Sequence, residues 1–443
     1  MRGYGDVRVA ARADWLLERL VATGSCVIRK LGGTRAGEMA VHRFLSSPHS
    51  ETAAILDTLG ARTAEACAGR HIVCVQDTSE INFRGREAAR RGLGPGGDGK
   101  SAAFFMHPLL AVEAEGEAVL GLLGADIWTR AAGKVGDRRR RLPQQKESRR
   151  WLDGALRAGQ LLRGRAASVT VVGDRESDVY TLFAQRPADV ELVLRVAQDR
   201  ALEEGGRLFA ALARTPAQAQ QQVEVAPRGP GDKGRTATLE LRACRVQIAR
   251  PKRLGLEQAP ASVEMTLVEA REPAPPEGCK PLHWRLLSSA ELSPARVVAL
   301  YRLRWRIEQL FRSVKSDGLK LEQTQLHDAE RLIKLAALAL GAAARIMQLV
   351  DARDGSERPL SDVLDPCLAP ALKAISQSLE GNTERQKNPF PPDSLAFLAW
   401  VTARLGGWNC YYKPPGPKTM RSGWNTLAAQ LAGYALAKDL ENV

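Results

Sequence analysis

The hydrophobic residues of the first 67 positions recur at the three- and four-residue spacing of amphipathic helices. We therefore predict a small helical module at the start of the chain. Its arginines at positions 8, 12, 19, 29, 35 and 43 are available to bind phosphates, although a solvated helical surface would carry the same charges. The apolar positions behind this prediction are Trp15, Leu16, Leu20, Val21, Met39, Val41, Phe44, Leu45, Ala53, Ile55, Leu56 and Leu59.

Beyond residue 70 the pattern changes to short apolar, β-branched runs that are typical of buried strands. Residues 71–77 (HIVCVQD) and 168–174 (SVTVVGD) each form such a run and end on an aspartate. Residues 104–130 predict two strands joined by a Gly-containing turn at residues 115–117, residues 147–162 predict a helix, and residues 190–198 predict another strand. This alternation of strands and helices predicts an α/β fold.

Residues 205–290 predict further antiparallel strands separated by Gly- and Pro-rich turns, so we interpret this stretch as a β-rich insertion. From residue 325 onward the periodicity is helical. No run of eighteen or more uncharged apolar residues occurs, and the first residues lack the pattern of a secretory signal, so we expect a cytoplasmic protein without a membrane span. The seven cysteines are scattered without C-x-x-C pairs, which argues against a zinc site or a disulfide framework.

The charge of the chain narrows the class of partner. There are 64 basic and 50 acidic residues, which gives a net charge of +14. A positive field attracts polyanions and speeds their encounter, so nucleic acid is the expected partner. Basicity alone is weak evidence, because other arginine-rich proteins share it.

Two aspartates, Asp77 and Asp174, occupy the ends of predicted strands. An open α/β sheet leaves a crevice at the carboxyl ends of its strands. Two carboxylates that converge there repel each other unless a hard divalent cation lies between them. For either aspartate alone, a turn or a helix cap is the more ordinary role.

A third carboxylate lies in a predicted helix that runs from residue 293 to residue 315. This helix begins with an N-cap serine followed by proline. At about 100° per residue, Tyr301, Arg304, Glu308 and Lys315 share one polar face, about 120° from an apolar stripe. An ordinary ion pair would explain Arg304 and Glu308 alone, whereas a metal-binding carboxylate beside phosphate-binding cations explains all four. The apolar stripe consists of Leu303, Ile307, Leu310 and Val314.

These residues resemble the motifs of a known family. The pattern Y-x2-R-x3-E-x6-K, met from Tyr301 to Lys315, is similar to the signature of the insertion-sequence-four family of DDE transposases, the group that includes the transposon-five transposase. VQDTS around Asp77 and VGDRESD around Asp174 resemble the family's other two acidic motifs. Further similar segments, which extend the resemblance over nearly the whole chain, are HRFLSSP (42–48), KESRRWL (146–152), RWRIEQLF (304–311), ARLGG (403–407) and LAKDL (436–440).

The resemblance implies a ribonuclease-H-like catalytic core with a β-rich insertion, flanked by helical N- and C-terminal domains. The implied domains are a DNA-binding domain at residues 1–52, a catalytic domain at 53–350 with the insertion at about 205–290, and a dimerisation domain at 351–443. Candidates for self-association are Leu427, Leu431, Tyr434 and Leu436, with a packed terminal helix as the alternative.

The resemblance also implies an activity and its partners. A bacterial, nucleoid-associated cut-and-paste transposase would bind double-stranded DNA, both at the ends of its element and at the target, and act as a homodimer in a synaptic complex. Asp77, Asp174 and Glu308 would form the catalytic triad and hold two Mg²⁺ ions, for which Mn²⁺ would substitute. The enzyme would cleave the element ends through DNA hairpins and join their 3′-OH groups to target DNA.

Family roles for DNA contact transfer to matching positions. Tyr301, Arg304, Lys315 and Arg175 would contact phosphates near the cleavage site. Trp284 would stack against a flipped base, although without the resemblance an inward-facing strand aromatic is the preferred interpretation.

Some features leave alternatives open. Glu80 would tune the metal site or compete for metal, and the run Arg138–Arg141 would either contact DNA or form a solvated loop. The glycine-rich segment Leu93–Lys100 lacks the spacing of a phosphate-binding loop. Alternative functions are a metal-dependent nuclease or resolvase that cuts without joining, and a catalytically silent DNA-binding relic or inhibitor of transposition. A glycosidase fits less well, because nothing suggests aromatic sugar platforms and the charge is positive.

Overall fold

The computed structural model describes residues 4, 6–83, 92–99, 101–130, 147–225, 234–315, 318–356, 358–411 and 413–441. The chain folds into two compact units. The first, called the helical unit, comprises Met1–Ala68, Thr78–Lys134 and Arg306–Val443. The second, called the sheet unit, comprises Gly69–Asp77 and Val135–Trp305. The domain boundaries given above stay predictions.

The elements follow the predicted order of helices, mixed α/β segments and helices. The helices are α1 (Val7–Thr23), α2 (Ile28–Gly32), α3 (Arg35–Ser46), α4 (Thr52–Ala66), α5 (Arg149–Leu162), α6 (Tyr180–Gln185), α7 (Leu208–Ala213), α8 (Pro294–Arg302), α9 (Trp305–Val314), α10 (Ala329–Asp351), α11 (Ala369–Leu379), α12 (Leu395–Leu405) and α13 (Pro417–Glu441). The strands are β1 (His71–Gln76), β2 (Ser79–Phe83), β3 (Gly94–Pro95), β4 (Ala102–Glu113), β5 (Val119–Trp128), β6 (Ser168–Gly173), β7 (Glu191–Arg195), β8 (Ala219–Val225), β9 (Arg235–Ala249), β10 (Ser262–Arg271) and β11 (His283–Ser288). Short 3₁₀ helices occur at Arg175–Ser177, Leu321–Gln323, Leu360–Asp362, Pro366–Leu368 and Glu384–Gln386.

The helical unit is organised around α10, which is rich in leucine and alanine and buried along most of its length. It packs against α1, α4, α12 and α13. Within the part of the chain that the structure describes, α10 is the one helix long and apolar enough to cross a membrane. However, 83% of its most apolar window is buried inside the protein, as expected for a core helix.

A long antiparallel hairpin completes the core of the helical unit. Its strands β4 and β5 pair from Phe105 opposite Trp128 to Val112 opposite Val119, which confirms the two strands and the turn predicted for this segment. Helices α4 and α10 cover β5. The Thr63 hydroxyl of α4 donates a hydrogen bond to the Leu122 carbonyl at 2.9 Å, which fastens the helix to the strand.

The sheet unit contains a mixed β-sheet with the strand order β1–β6–β7–β11–β10–β9–β8. The pairs β1–β6 and β6–β7 are parallel, and from β7 to β8 each pair is antiparallel. The predicted antiparallel strands of residues 205–290 are thus confirmed. They extend the same sheet that carries β1 and β6, because β11 pairs directly with β7.

Helices cover this sheet and position its ends. α5 packs on β6 and β1, α7 packs on β9 and β10, and α8 contacts strands from β6 to β10. The start of α8 is as predicted: the Ser293 hydroxyl caps the helix by accepting a hydrogen bond from the Arg296 amide at 3.2 Å, and Pro294 occupies the first turn.

The terminal helix α13 divides into a packed part and an exposed part. Leu427 and Leu431 are buried, and the Trp424 indole donates a hydrogen bond to Glu18 of α1 at 2.9 Å. Leu436 is 62% exposed. The packed-helix alternative therefore describes Leu427 and Leu431, whose side chains are used within the chain itself. Self-association through the exposed Leu436 stays a prediction.

Candidate active site

Two parallel strands place the predicted aspartates next to each other. β1 and β6 pair in register from His71 opposite Ser168 to Val75 opposite Val172. Asp77 and Asp174 each follow two residues later, so the same register sets them opposite each other at the carboxyl ends of the strands. Because neighbouring strands lie about 4.8 Å apart, the backbones of the two aspartates lie side by side at this edge of the sheet.

Asp77 is paired with a cation from the same unit. The Arg304 Nη1 atom donates a hydrogen bond to Asp77 Oδ2 at 3.1 Å, and the two side chains are 16% and 14% exposed. Solvent therefore screens this pair less than a surface ion pair. The guanidinium also offsets part of the negative charge that Asp77 and Asp174 place side by side.

The backbone at Asp174 is fixed by a tight turn. Asp174 Oδ1 accepts a hydrogen bond from the Glu176 amide at 2.8 Å, and the Ser177 hydroxyl donates to the Asp174 carbonyl at 2.5 Å. Gly173 permits this turn, because a Cβ there would lie 2.5 Å from Ser177 and 2.9 Å from Trp151. The capping role expected of a strand-end aspartate is thus present, and it uses one of the two carboxylate oxygens.

A buried ion pair supports this turn from the other side. Asp178 Oδ1 accepts a hydrogen bond from Arg200 Nε at 2.7 Å, and Oδ2 accepts from the Ala197 and Gln198 amides at 2.8 Å each. The Arg200 and Asp178 side chains are 7% and 1% exposed. This network fastens the turn after β6 to the chain that follows β7.

The backbone before Asp77 is fixed by α5. Gln76 is fully buried and its Nε2 atom donates a hydrogen bond to the Trp151 carbonyl at 3.0 Å. A buried amide with its donor satisfied holds its position well, so α5 sets the direction in which the chain leaves β1.

Tyr301 and Trp284 form a ring pair near these acids. Their ring centroids are 5.7 Å apart and the planes meet at 63°, an edge-to-face arrangement. Tyr301 is 4% exposed, whereas Trp284 is only partly buried. Burial raises the pKa of the Tyr301 hydroxyl, and the charges of Arg304 and Arg195 oppose that shift. Tyr301 therefore keeps its proton at neutral pH and serves as a hydrogen-bonding group.

In the helical unit, Glu308 and Lys315 belong to a second group of charged residues. Glu308 lies in the first turn of α9, where the helix dipole favours a carboxylate. Burial lowers the pKa of Lys315, against the opposing effect of the carboxylates of Glu322, Glu80 and Glu308. Glu80 Oε1 in turn accepts a hydrogen bond from the Gly97 amide at 2.9 Å, so this acid holds the glycine-rich segment as well.

Residues 69–344 match the family model of the transposase DDE domain. The match covers more than half of the chain and contains every acidic and basic residue of the candidate site described in this subsection. The chain belongs to the transposase DDE domain family. This confirms the predicted transposase and its partner class, DNA, which also suits the net charge of +14.

One feature of the DDE domain differs from the prediction. The single helix expected from residue 293 to residue 315 ends at Arg302, and α9 begins at Trp305. Between them, the Leu303 and Arg304 amides bond to the carbonyls of Leu300 and Tyr301 in a tighter turn. The prediction of one continuous helix was therefore wrong: Tyr301 is buried in α8, Arg304 lies in the link, and Glu308 lies in α9. The predicted apolar stripe is confirmed by the burial of Leu303, Ile307, Leu310 and Val314.

The DDE domain brings some of the predicted site residues together. Within the sheet unit, Asp77 and Asp174 follow the ends of the paired strands β1 and β6, Arg304 binds Asp77, and Arg175 follows Asp174 with its side chain exposed. Among the residues that the structure describes, no three His, Cys, Asp or Glu side chains form a metal-binding group. Glu308 and Lys315 belong to the helical unit, and the complete triad stays a prediction. The run Arg138–Arg141 lies outside the described residues.

Sequence reasoning missed residues whose partners are distant along the chain. Arg195, at the end of β7, lies beside Tyr301, and the Asp178–Arg200 pair supports the turn at Asp174. Arg195 carried a weak signal, since it ends an apolar run in the same way as Asp77 and Asp174. Asp178 was visible only as the last residue of VGDRESD.

Proposed function

We propose that this DDE-domain protein is a cut-and-paste DNA transposase of the insertion-sequence-four family, acting on nucleoid DNA in a bacterial cytoplasm. The observation that carries the proposal is the register of β1 and β6, which sets Asp77 opposite Asp174 at the strand ends with Arg304 bound to Asp77. Glu308, in the first turn of α9, is the third acid of the proposed triad.

The residues present fit divalent magnesium or manganese. Asp77 and Asp174 supply hard carboxylate oxygens from adjacent strands, which is the donor type these cations prefer, and Glu308 would complete the set for two ions. When bound, the ions supply the Lewis acidity that activates water and stabilises the leaving 3′ oxygen in phosphodiester hydrolysis. Before the ions bind, the Arg304 guanidinium pairs with Asp77 and so reduces the repulsion between the two adjacent carboxylates.

The chain's basic and aromatic groups orient the DNA in this proposal. Arg304, Arg175 and Lys315 bind phosphates of the scissile strand, as guanidinium and ammonium groups commonly do. Tyr301 donates a hydrogen bond rather than acting as a nucleophile, which agrees with its buried, protonated hydroxyl.

Trp284 has a separate role in the proposed hairpin step. A tight DNA hairpin strains its base stacking, and an aromatic platform that receives an unstacked base relieves that strain. Tyr301 supports one edge of the Trp284 ring, and the ring stays partly accessible. The released 3′-OH would attack the opposite strand to form the hairpin, and water would reopen it before joining to target DNA.

The decisive experiment uses the purified full-length chain, Mg²⁺, and DNA duplexes that carry the inverted repeats flanking its reading frame. Asp77→Asn, Asp174→Asn and Glu308→Gln should each bind the duplex but lose cleavage by several orders of magnitude. Asp189→Asn, which removes an exposed carboxylate paired with Arg163, is the matched control and should cleave normally.

The products decide between the proposal and its alternatives. Hairpinned ends and joined products support a transposase. Nicks without joining favour the nuclease, and binding without cleavage by the unmodified chain favours the relic or inhibitor. Unchanged cleavage by Glu308→Gln would remove Glu308 from the site.

A further inference from the structure

A cavity of about 400 Å³ opens in the sheet unit next to the proposed catalytic Asp174. Its wall includes Arg175 and Glu176, the two residues that follow Asp174. The other wall comes from the connection between β9 and β10, through Arg253. Four arginines line the cavity against two acids, Glu176 and Asp178.

Most of these charges are already matched within the protein. Arg200 and Asp178 neutralise each other in the buried pair described above, and Arg149 pairs with Asp153 at 2.8 Å. Arg175 and Arg253 are exposed, and neither forms an ion pair or a side-chain hydrogen bond with any residue that the structure describes. The exposed Glu176 offsets at most one of their charges, so the cavity keeps an excess of positive charge.

The remaining walls suit the rest of a nucleotide. Val179, Pro251 and Leu254 contribute apolar surface. Gln198 lines the cavity too, but its amide nitrogen already donates to the Asp178 carbonyl at 3.3 Å. Apolar walls with few free polar groups accept a sugar and a base without selecting a sequence.

We propose that this arginine pocket, defined by Arg175 and Arg253, binds one nucleotide of the DNA strand that enters the active site. The inference rests on the proposed function, since it deepens the way in which the same site holds its substrate. Guanidinium groups from two separate elements engage the phosphate, and the apolar wall contacts the sugar and base. A volume of about 400 Å³ is within the range of small-molecule sites and has room for one nucleotide.

A strand is the favoured occupant because of where the pocket lies. Arg175 directly follows Asp174 in the chain, so a phosphate bound there is close to the bond that Asp174 would help to cleave. The inference assigns DNA contact to the β9–β10 connection, and thus to the β-rich stretch. A free nucleoside monophosphate or inorganic phosphate would present the same chemistry, and the experiment separates these sources.

The test compares Arg253→Gln with Lys252→Gln in the full-length chain. Lys252 is the exposed neighbour of Arg253 but does not line the cavity, so both variants lose one positive charge from the same connection. Binding to a duplex of arbitrary sequence with a single-stranded extension is measured over a range of salt concentrations, with Ca²⁺ present in place of Mg²⁺. We expect Arg253→Gln to weaken DNA binding about tenfold. It should also reduce by about 1 the slope of the logarithm of the binding constant against the logarithm of the salt concentration. Lys252→Gln should change the binding constant and this slope by less than half as much.

Three results would overturn the inference. Equal effects of the two substitutions would mean that Arg253 adds only to the overall positive electrostatic field of the protein. No effect of either would remove the connection from the DNA contact. The third result is tight binding of a deoxynucleoside monophosphate or of phosphate that requires Arg253, while DNA binding does not change when Arg253 is substituted. That result would assign the pocket to a free ligand. None of these measurements depends on cleavage. A wrong pocket assignment is therefore distinguishable from a wrong catalytic triad, because the triad is tested by the cleavage activity of Asp174→Asn.

Discussion

Ion pairs of the sheet unit differ sharply in how far water reaches them. The Arg200–Asp178 pair is almost fully buried and also satisfies two backbone amides, whereas Arg163 and Asp189 pair at 2.8 Å with side chains 68% and 40% exposed. Removing one partner of a buried pair leaves an uncompensated charge, and the same change at the surface is compensated by water. Burial, rather than distance, decides which pair stabilises the turn at Asp174.

We therefore predict that two matched substitutions differ in their effect on stability. Asp178→Asn should lower the free energy of unfolding by ~3–5 kcal/mol, because Arg200 stays buried without its charge partner. Asp189→Asn should leave the unfolding temperature nearly unchanged. Denaturant titration of both variants checks this, and similar losses would show that the buried network does not carry the stability.

Glu269 makes a second, pH-dependent contribution at the residue scale. Burial acts to raise its pKa, but hydrogen bonds from His283 Nε2 at 2.8 Å and Arg285 Nε at 3.3 Å outweigh this, and the pKa lies below its ordinary value of 4.5. The stabilisation from the ionised form is therefore complete above pH 4.5 and is lost as the pH falls through the lowered pKa.

Glu269→Gln removes this dependence. We expect the stability difference between the unmodified chain and the variant to be constant at neutral pH and to shrink below pH 4.5. Glu264→Gln, which changes an exposed acid on the same strand, should show no such trend. Denaturant unfolding at a series of pH values provides the measurement, and a constant difference down to acid pH would contradict the assignment.

Residue-scale prediction from the sequence succeeded where the signal was local. Asp77 and Asp174 could be placed, because an apolar run that ends on an acid identifies a strand end. Arg195 and Arg200 could not, because their functions depend on partners that pairing of distant strands brings near. Only the fold reveals such neighbours.

At the scale of the element, the break between α8 and α9 shows a limit of periodicity. Every residue from 294 to 314 is compatible with one helix, and the apolar stripe continues across the break. Two tertiary contacts are located at this point: Arg304 binds Asp77, and Tyr301 packs against Trp284. We infer that these contacts outweigh the small cost of two tighter turns, a balance that local propensity does not contain.

Helix α13 offers a direct test of close packing between elements. A Cβ at Gly423 would lie 1.6 Å from the Thr402 carbonyl oxygen of α12, whereas a Cβ at Gly433 would meet nothing within 4 Å. Gly423→Ala should destabilise the chain by ~1–3 kcal/mol through overpacking. Gly433→Ala should stabilise it by up to ~1 kcal/mol through helix propensity.

Thermal unfolding of these two variants distinguishes packing from propensity, since both replace glycine with alanine in one helix. A rise in unfolding temperature for Gly423→Ala would show that α12 and α13 separate without cost.

At the scale of the molecule, the class of fold and the order of its segments followed from the sequence. Helical periodicity, strand-like runs and turn residues are local signals, and the structure confirms helices first, a mixed α/β middle and helices last. The sequence did not predict that the β-rich stretch continues the sheet of β1 and β6, because strand order depends on pairing between distant segments. Nor did it predict that one unit is assembled from three separate stretches of chain.

The exposed end of α13 is the remaining surface relevant to the proposed homodimer. The buried side chains of this helix, Met420, Trp424, Leu427 and Leu431, share one face, at 100° per residue. Leu436 and Leu440 are 62% and 68% exposed and lie about 180° from that face, one helical turn apart. Two neighbouring leucines directed away from the chain's own core are a suitable contact for a second copy.

Substituting both leucines with lysine should therefore prevent assembly while leaving the monomer folded. Burying each leucine contributes about 1.5–3 kcal/mol, so we expect Leu436→Lys with Leu440→Lys to raise the dimer dissociation constant at least about a hundredfold. Thr426→Lys with Gln430→Lys adds the same charge to exposed positions about 80° away around the helix and should assemble normally. Sedimentation with DNA bearing the element ends measures this. If the leucine variant forms the same dimer as the unmodified chain, the two subunits associate through another surface, and α13 serves only to hold α1, α10 and α12 together.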